Sequence, residues 1–216
     1  MPRYRETVGS TAPDVATSRS PRLAHLPSPL PRSFYARPTV EVARDLLGKL
    51  LVQPGTPTRF ARIVEVEAYL GERDAASHAR RGPTPRAAIM FGPPGFLYVY
   101  LIYGIHHCMN IITELDGTAG AVLIRGAQPI RGFEAAAGER LLTGPGKVCA
   151  GLGITRRQNG LDLCGPIMFV AEEDGAPPPR VKRSARIGVA YAAAWAARKL
   201  RFYVPGNPHV SGRPRD

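Results

Sequence analysis

Between Arg59 and Leu70 the run RFARIVEVEAYL alternates apolar and polar side chains almost without interruption. A period of two sends successive side chains to opposite faces, so this stretch reads as a half-buried β-strand. Val64, Val66, Ala68 and Leu70 fall on one face, and Glu65, Glu67 and Tyr69 on the other. A strand of this length needs partners, and the neighbouring sequence supplies them. Upstream, PTVEVARDLLGKLLV predicts a helix with Thr39 as N-cap, apolar Val40, Ala43, Leu46 and Leu47, and a stop at Gly48. Leu50 to Val52 then starts a strand, and PGTP turns into the alternating run.

Downstream, a polar loop over 71–88 is dense in Gly, Pro and Arg. GFLYVYLIYG and HHCMNIIT predict a pair of strands with Tyr103-Gly104-Ile105 at the turn. AGAVLIRGAQPI predicts a strand ending at Arg125, GFEAAAGERLL a helix, and GPGKVCAGLGI a loop feeding a helix. Residues 170–182 read as a surface excursion. SARIGVAYAAAWAARKLRFYVPGNPHVS reads as a strand, a short Ala-rich segment and a final strand. Strands outnumber helices and pair locally, which predicts a mixed α/β domain around an antiparallel sheet. Residues 1–32 are rich in Pro, Ser, Ala and Arg without apolar periodicity, and are expected to form a disordered basic leader ahead of a domain over 33–216.

The chain carries 29 Lys and Arg against 17 Asp and Glu, a formal net charge of +12, and Lys49, Lys147, Lys182 and Lys199 are its lysines. An arginine-rich surplus of planar forks makes nucleic acid the first partner to consider. Cys108, Cys149 and Cys164 form no C-x-x-C pair, against a zinc site or a disulfide framework and for a reducing compartment. No apolar run approaches membrane-spanning length and MPRYRETVGS has no apolar signal region, so an intracellular location, cytoplasm or nucleoid, is expected.

Two clusters carry candidate chemistry. Glu65, Glu67 and Tyr69 are followed by a loop that brings His78 with Arg73, Arg80, Arg81 and Arg86, and Arg62 is expected to add its charge less directly. A carboxylate among such charge stays ionised and suits activation of water. Periodicity does not choose between Glu65 and Glu67. In FLYVYLIYG, Tyr98 and Tyr100 share a face and Tyr103 has the opposite parity near the tip. A tyrosine-rich sheet core accounts for this pattern, and so does a slot for a planar base with a wedge at the hairpin tip. HHC at 106–108 lets at most His106 and Cys108 share an ion, so no metal is expected. LTGPGKV lacks the first glycine and the final Ser/Thr of a P-loop, but its glycine-rich entry to a helix can present N–H groups to a phosphate beside Lys147.

Taken together, RIVEVEAYLG, DAASHARRG, PGFLYVYLIYGIHHCMN, VLIRG, GPGKVC, RIGV and LRFYV, in this order between residues 34 and 211, resemble the alkyladenine (3-methyladenine, or methylpurine) DNA glycosylase family. The resemblance implies a single α/β domain around a curved antiparallel sheet with a protruding β-hairpin. It also implies a monomeric enzyme, without cofactor or metal, that removes damaged purines from double-stranded DNA. By this likeness Glu67 is the general base and Arg125 helps hold the attacking water. Tyr69, His78 and Tyr100 wall the slot for the flipped base, Asn110 crowds guanine's exocyclic amine, and Tyr103 enters the minor groove. Arg86 and Lys147 are expected on the DNA. Three alternatives are weighed on sequence grounds: a helix-hairpin-helix glycosylase using Asp162 after LTGPGKVCAGLG, a lesion glycosylase with an N-terminal proline nucleophile after the opening Met-Pro, and a non-catalytic basic DNA-binding module.

Overall fold

A computed structural model of the chain describes residues 26–134 and 141–212. The alternating run forms an 11-residue strand, and among the described residues it is the centre of one antiparallel sheet. In chain order the strands are β1 (Leu50–Gln53), β2 (Arg59–Tyr69), β3 (Leu97–Ile102), β4 (His106–Ile112), β5 (Ala121–Arg131), β6 (Phe169–Ala171), β7 (Lys182–Ser184) and β8 (Arg201–Tyr203). Their order is β3-β4-β5-β2-β1-β6, with β8 joining β2 to β7. One edge of β2 is covered by β5 over its whole length; the other is shared by β1 at Arg59–Arg62 and β8 at Glu65–Glu67. The sheet curls into a half-barrel, giving the mixed α/β single domain expected from the pattern.

β2 departs from the expected alternation in two ways. Residues Phe60, Ala61 and Ile63 to Ala68 are all buried, so neither face is solvated. The register against β5 also shifts between Ile63, Glu65 and Val66, an irregularity of the β-bulge kind. Ala61 and Ile63 therefore share the main core with Val66 and Ala68, while Val64 does not join that cluster. The bulge changes the parity once, and the acidic face begins within it, at Glu65.

Helices α1 (Arg32–Tyr35), α2 (Thr39–Asp45) and α3 (Pro145–Leu152) close the core on one side: Tyr35, Val42, Ala43, Val148 and Leu152 are buried in the cluster that contains Met109, Ile111 and Ile124. Thr39 is the first helical residue rather than the cap. Its hydroxyl instead donates to Glu114 Oε1 at 2.6 Å, a tertiary bond that outcompetes local capping. The loop over 71–88 contains short 3-10 turns at Gly71–Arg73 and His78–Arg81.

Several boundaries differ from expectation because distant partners extend or redirect a segment. β5 runs past Arg125 to Arg131, since Ala127 and Gln128 still pair with Ile63 and Arg62. Val170 and Ala171 are buried sheet against β1 rather than excursion. The strand expected at SARIGVA lies earlier, at β7, because Arg186 turns inward. The Ala-rich segment is a kinked 3-10 stretch, Ala190–Trp195. Within the expected leader, Leu30 is buried and its N–H donates to Val170 O, and Arg32 pairs with Asp162 at 2.7 Å. Residues 1–25, and residues 135–140 of the expected helix at GFEAAAGERLL, lie outside the described residues.

Candidate active site

One register row across four strands lays out the site. Tyr98 faces Asn110, Asn110 faces Leu123, and Leu123 faces Glu67. Residues two positions along each strand lie on the same side of the sheet, which adds Tyr100, Cys108, Arg125 and Tyr69. All of these except Glu67 line a cavity of about 520 Å³, together with His78, Arg86 and Ile187. Glu67 is fully buried directly behind that lining.

Each contact on Glu67 comes from a cavity wall. Ile187 N–H donates to Oε1 at 2.7 Å, the Tyr69 hydroxyl donates to Oε2 at 2.9 Å, and Arg125 Nε stands 3.4 Å from Oε1. Burial pushes the Glu67 carboxyl above the ordinary glutamate value, against the opposing pull of Arg125, Ile187 N–H and the Tyr69 hydroxyl. The arginines therefore do not dominate, as the loop composition suggested; Arg62 pairs with Glu173 instead of joining the site. Burial and the Glu67 charge keep the Tyr69 hydroxyl protonated and able to donate. Burial pulls Arg125 down, but the Glu67 and Glu65 carboxylates reverse that and hold it charged.

Glu65 is equally buried and shares Arg125 with Glu67, but its other partners lie elsewhere. Arg201 Nε donates to Oε1 at 2.6 Å, Arg125 Nε to Oε1 at 3.2 Å, and Ser211 N–H to Oε2 at 2.6 Å. Gly126 makes room for this arrangement: a Cβ there would stand 2.5 Å from His209 O, so only glycine lets the C-terminal segment cross β5.

The aromatic wall is built by β3 and the second 3-10 turn of the 71–88 loop, His78–Arg81. His78 Nδ1 is 2.9 Å from the Tyr98 hydroxyl, and its ring meets Tyr100 edge-on at 4.7 Å. Burial, then the Arg86 charge, push His78 down to about 4, so the imidazole is neutral near pH 7. Asn110 is buried and donates to Tyr98 O at 3.2 Å. Arg86 is exposed at the rim, its Nε 3.3 Å from the Tyr98 hydroxyl and its guanidinium 5.0 Å from the Tyr100 ring centroid.

Beyond the cavity the β3–β4 hairpin projects. Tyr103 and Gly104 both take positive φ, 52° and 71°, in a tight turn closed by Ile105 N–H to Ile102 O. Tyr103 is 86% exposed and Ile105 70%, which makes the tip an exposed apolar one. Lys147 is exposed in the first turn of α3, next to Pro145 at the cavity edge.

The structure thus brings Glu67, Arg125, Tyr69, His78, Tyr100, Asn110 and Arg86 to one cavity, with Tyr103 at its margin and Lys147 near it. Asp162 is not part of it: that carboxylate pairs with Arg32 and accepts from Cys164 N–H. Sequence reasoning assigned no role to Cys108 or Leu123, which only the register row places here, nor to Ile187 N–H, a backbone donor that leaves no side-chain signal. Among the described residues no group of His, Cys, Asp or Glu is arranged to hold a metal ion, and no helix is long and apolar enough to cross a membrane.

Residues 33–208 match the family model for methylpurine-DNA glycosylase (MPG). The chain is 50% identical over 186 residues to a protein of Myxococcus xanthus (strain DK1622), covering 86% of this chain and 94% of the relative. That relative bears the name "Putative 3-methyladenine DNA glycosylase". Relatives of the same name from Anaeromyxobacter dehalogenans (strain 2CP-1) and Methanocella arvoryzae are 55% and 49% identical, over 86% and 85% of this chain and 86% and 96% of their own. Strand-rich fold, aromatic cavity, family match and relatives agree: this chain belongs to the methylpurine-DNA glycosylase family.

Proposed function

We propose that this DNA glycosylase flips damaged purines out of double-stranded DNA and hydrolyses their N-glycosidic bond without cutting the strand, starting base excision repair as a monomer. The observation that carries the reading is the position of Glu67, buried at the foot of an aromatic cavity whose walls supply its hydrogen bonds. Each carboxylate oxygen has two acceptor sites, and Oε2, with Tyr69 on one, keeps another for a water. Glu67 takes a proton from that water as its oxygen bonds to C1′, and the base leaves with the glycosidic electron pair. The negative carboxylate also stabilises the oxocarbenium-like sugar, and Arg125 orients the water.

The slot walls suit a purine ring: Tyr69, His78 and Tyr100 offer aromatic surface, and buried Asn110 crowds an exocyclic amine such as that of guanine. Exposed Tyr103 fills the gap left in the stack, and Arg86 and Lys147 meet the phosphates. Cationic 3-methyladenine and 7-methylguanine leave readily. Hypoxanthine and ethenoadenine need a hydrogen bond, and neutral His78 provides a partner rather than a surplus proton. Among the described residues no lysine lines the cavity, which supports hydrolysis over amine-mediated strand cleavage.

Duplex oligonucleotides bearing one hypoxanthine, one ethenoadenine or one alkylated adenine test this directly. Wild type is expected to release free base and leave an alkali-labile site, with no break before alkali. Glu67→Gln is expected to bind the duplex and release base at least roughly 100-fold more slowly; full activity in that variant overturns the mechanism.

A further inference from the structure

Behind the cavity wall lies an ion pair that the chemistry above does not use. Asp74 and Arg186 meet in a bidentate contact, Nη1 to Oδ2 at 2.6 Å and Nη2 to Oδ1 at 2.8 Å, and both side chains are 0% exposed. Such a pair is poorly justified by stability, because desolvating two charges offsets most of their attraction. Its connections say more. Asp74 accepts from Leu70 N–H and Ala76 N–H, at either end of the turn that starts the His78 loop. Arg186 Nη1 also donates to Ala68 O on β2 at 2.9 Å, and its guanidinium lies 4.6 Å from the centroid of the Tyr69 ring. The next residue is Ile187, whose N–H reaches Glu67.

We propose that the buried Asp74–Arg186 pair is the positioning device of Glu67: it holds in place both hydrogen-bond donors to that carboxylate, Ile187 N–H and the Tyr69 hydroxyl. One donor is the adjacent backbone amide and the other sits on the ring under the guanidinium. The pair thereby ties β2, the His78 loop and the 185–189 segment to a single carboxylate. The charged and titratable groups facing Glu67 are Glu65 and Tyr69 on β2, Arg125 on β5, Cys108 on β4 and Arg186 itself. Of these, Tyr69 depends on Arg186 for its setting.

The inference rests on Glu67 being the base, and single-turnover release of hypoxanthine from duplex DNA tests the two separately. Arg186→Lys keeps the charge but loses the bidentate fork and the stacked plane. The expected result is a rate constant lower by roughly 10- to 100-fold at neutral pH, as for a misplaced reacting group. Duplex affinity should stay within about twofold, because the lost interaction serves the chemical step. The acid limb of the rate profile should move to higher pH, since both donors hold the Glu67 carboxyl down. Combined with Tyr69→Phe, the losses should be less than additive.

If Arg186→Lys does not fold, the charge-free pair Asp74→Asn with Arg186→Met is measured for the same rate and limb, removing both charges at once. An unmoved acid limb with a wild-type rate, or a rate loss that only tracks the unfolded fraction, overturns the inference when Glu67→Gln is inactive. An active Glu67→Gln instead overturns the reading of the base.

Discussion

Glu65 and Glu67 leave the same strand two residues apart, both fully buried and both within reach of Arg125, yet their surroundings are opposite in kind. Around Glu65 the donors are Arg201, Arg125 and the Ser211 amide, which knot β2, β5, β8 and the C-terminal segment into a closed unit. Around Glu67 the donors are Tyr69 and Ile187, which belong to the cavity wall. A carboxylate held by two buried guanidinium groups and the backbone of the C-terminal segment serves structure. One whose partners line an opening is placed for chemistry. Residue type, burial and strand face do not separate the two; what lies beyond each side chain does.

The comparison can be broken by exchanging the consequences of removing each charge. Glu67→Gln should lower the excision rate by roughly 10²- to 10⁴-fold, as for loss of a general base, with an unfolding midpoint no lower than that of wild type. Glu65→Gln should do the reverse. It leaves the Arg201 and Arg125 guanidinium groups buried and under-compensated, a loss of about 3–5 kcal/mol by denaturant unfolding. A Glu65→Gln protein of wild-type stability without activity would invert the assignment. Further from the contrast, Tyr103→Ala should weaken capture of the extrahelical base by about 1–3 kcal/mol, the worth of one base–aromatic stack. Unchanged binding and turnover in that variant would remove the wedge.

The smallest effect is a displacement of the pH profile. Burial raises the Glu67 carboxyl, so the ionised base is lost as pH falls through a value above that of ordinary glutamate, and the acid limb of excision should lie correspondingly high. For folding the sign reverses. Below the unfolded-state value both states are protonated and no cost arises, whereas above the raised folded-state value the buried charge costs its full amount. A limb at the ordinary glutamate position would show that Glu67 is hydrated in the working enzyme.

Much of this was visible in the chain alone. The alternating run, the β3–β4 pair and its Tyr103-Gly104 turn were legible, because strand periodicity and turn chemistry are local properties of consecutive residues. Likeness to the family further singled out Glu67, Tyr69, His78, Tyr100, Asn110 and Arg125, which the fold gathers at one cavity. Local pattern failed where a distant partner decided the outcome. Thr39 left its cap for Glu114, β5 outran Arg125 along β2, and residues 30–32 docked instead of trailing.

By itself, then, the sequence determined that β2 exists, that it carries two acids and a tyrosine on one face, and that a hairpin ends in tyrosine. Tertiary structure decided that both acids are buried and that a bulge brings them to their face. It also decided that Tyr98, Asn110, Leu123 and Glu67 share a row, and that an amide at Ile187 points at Glu67 from about 120 residues away. The physical reason is range. Backbone period and turn geometry act between neighbours, whereas desolvation, ion pairing and register depend on which remote strand arrives alongside.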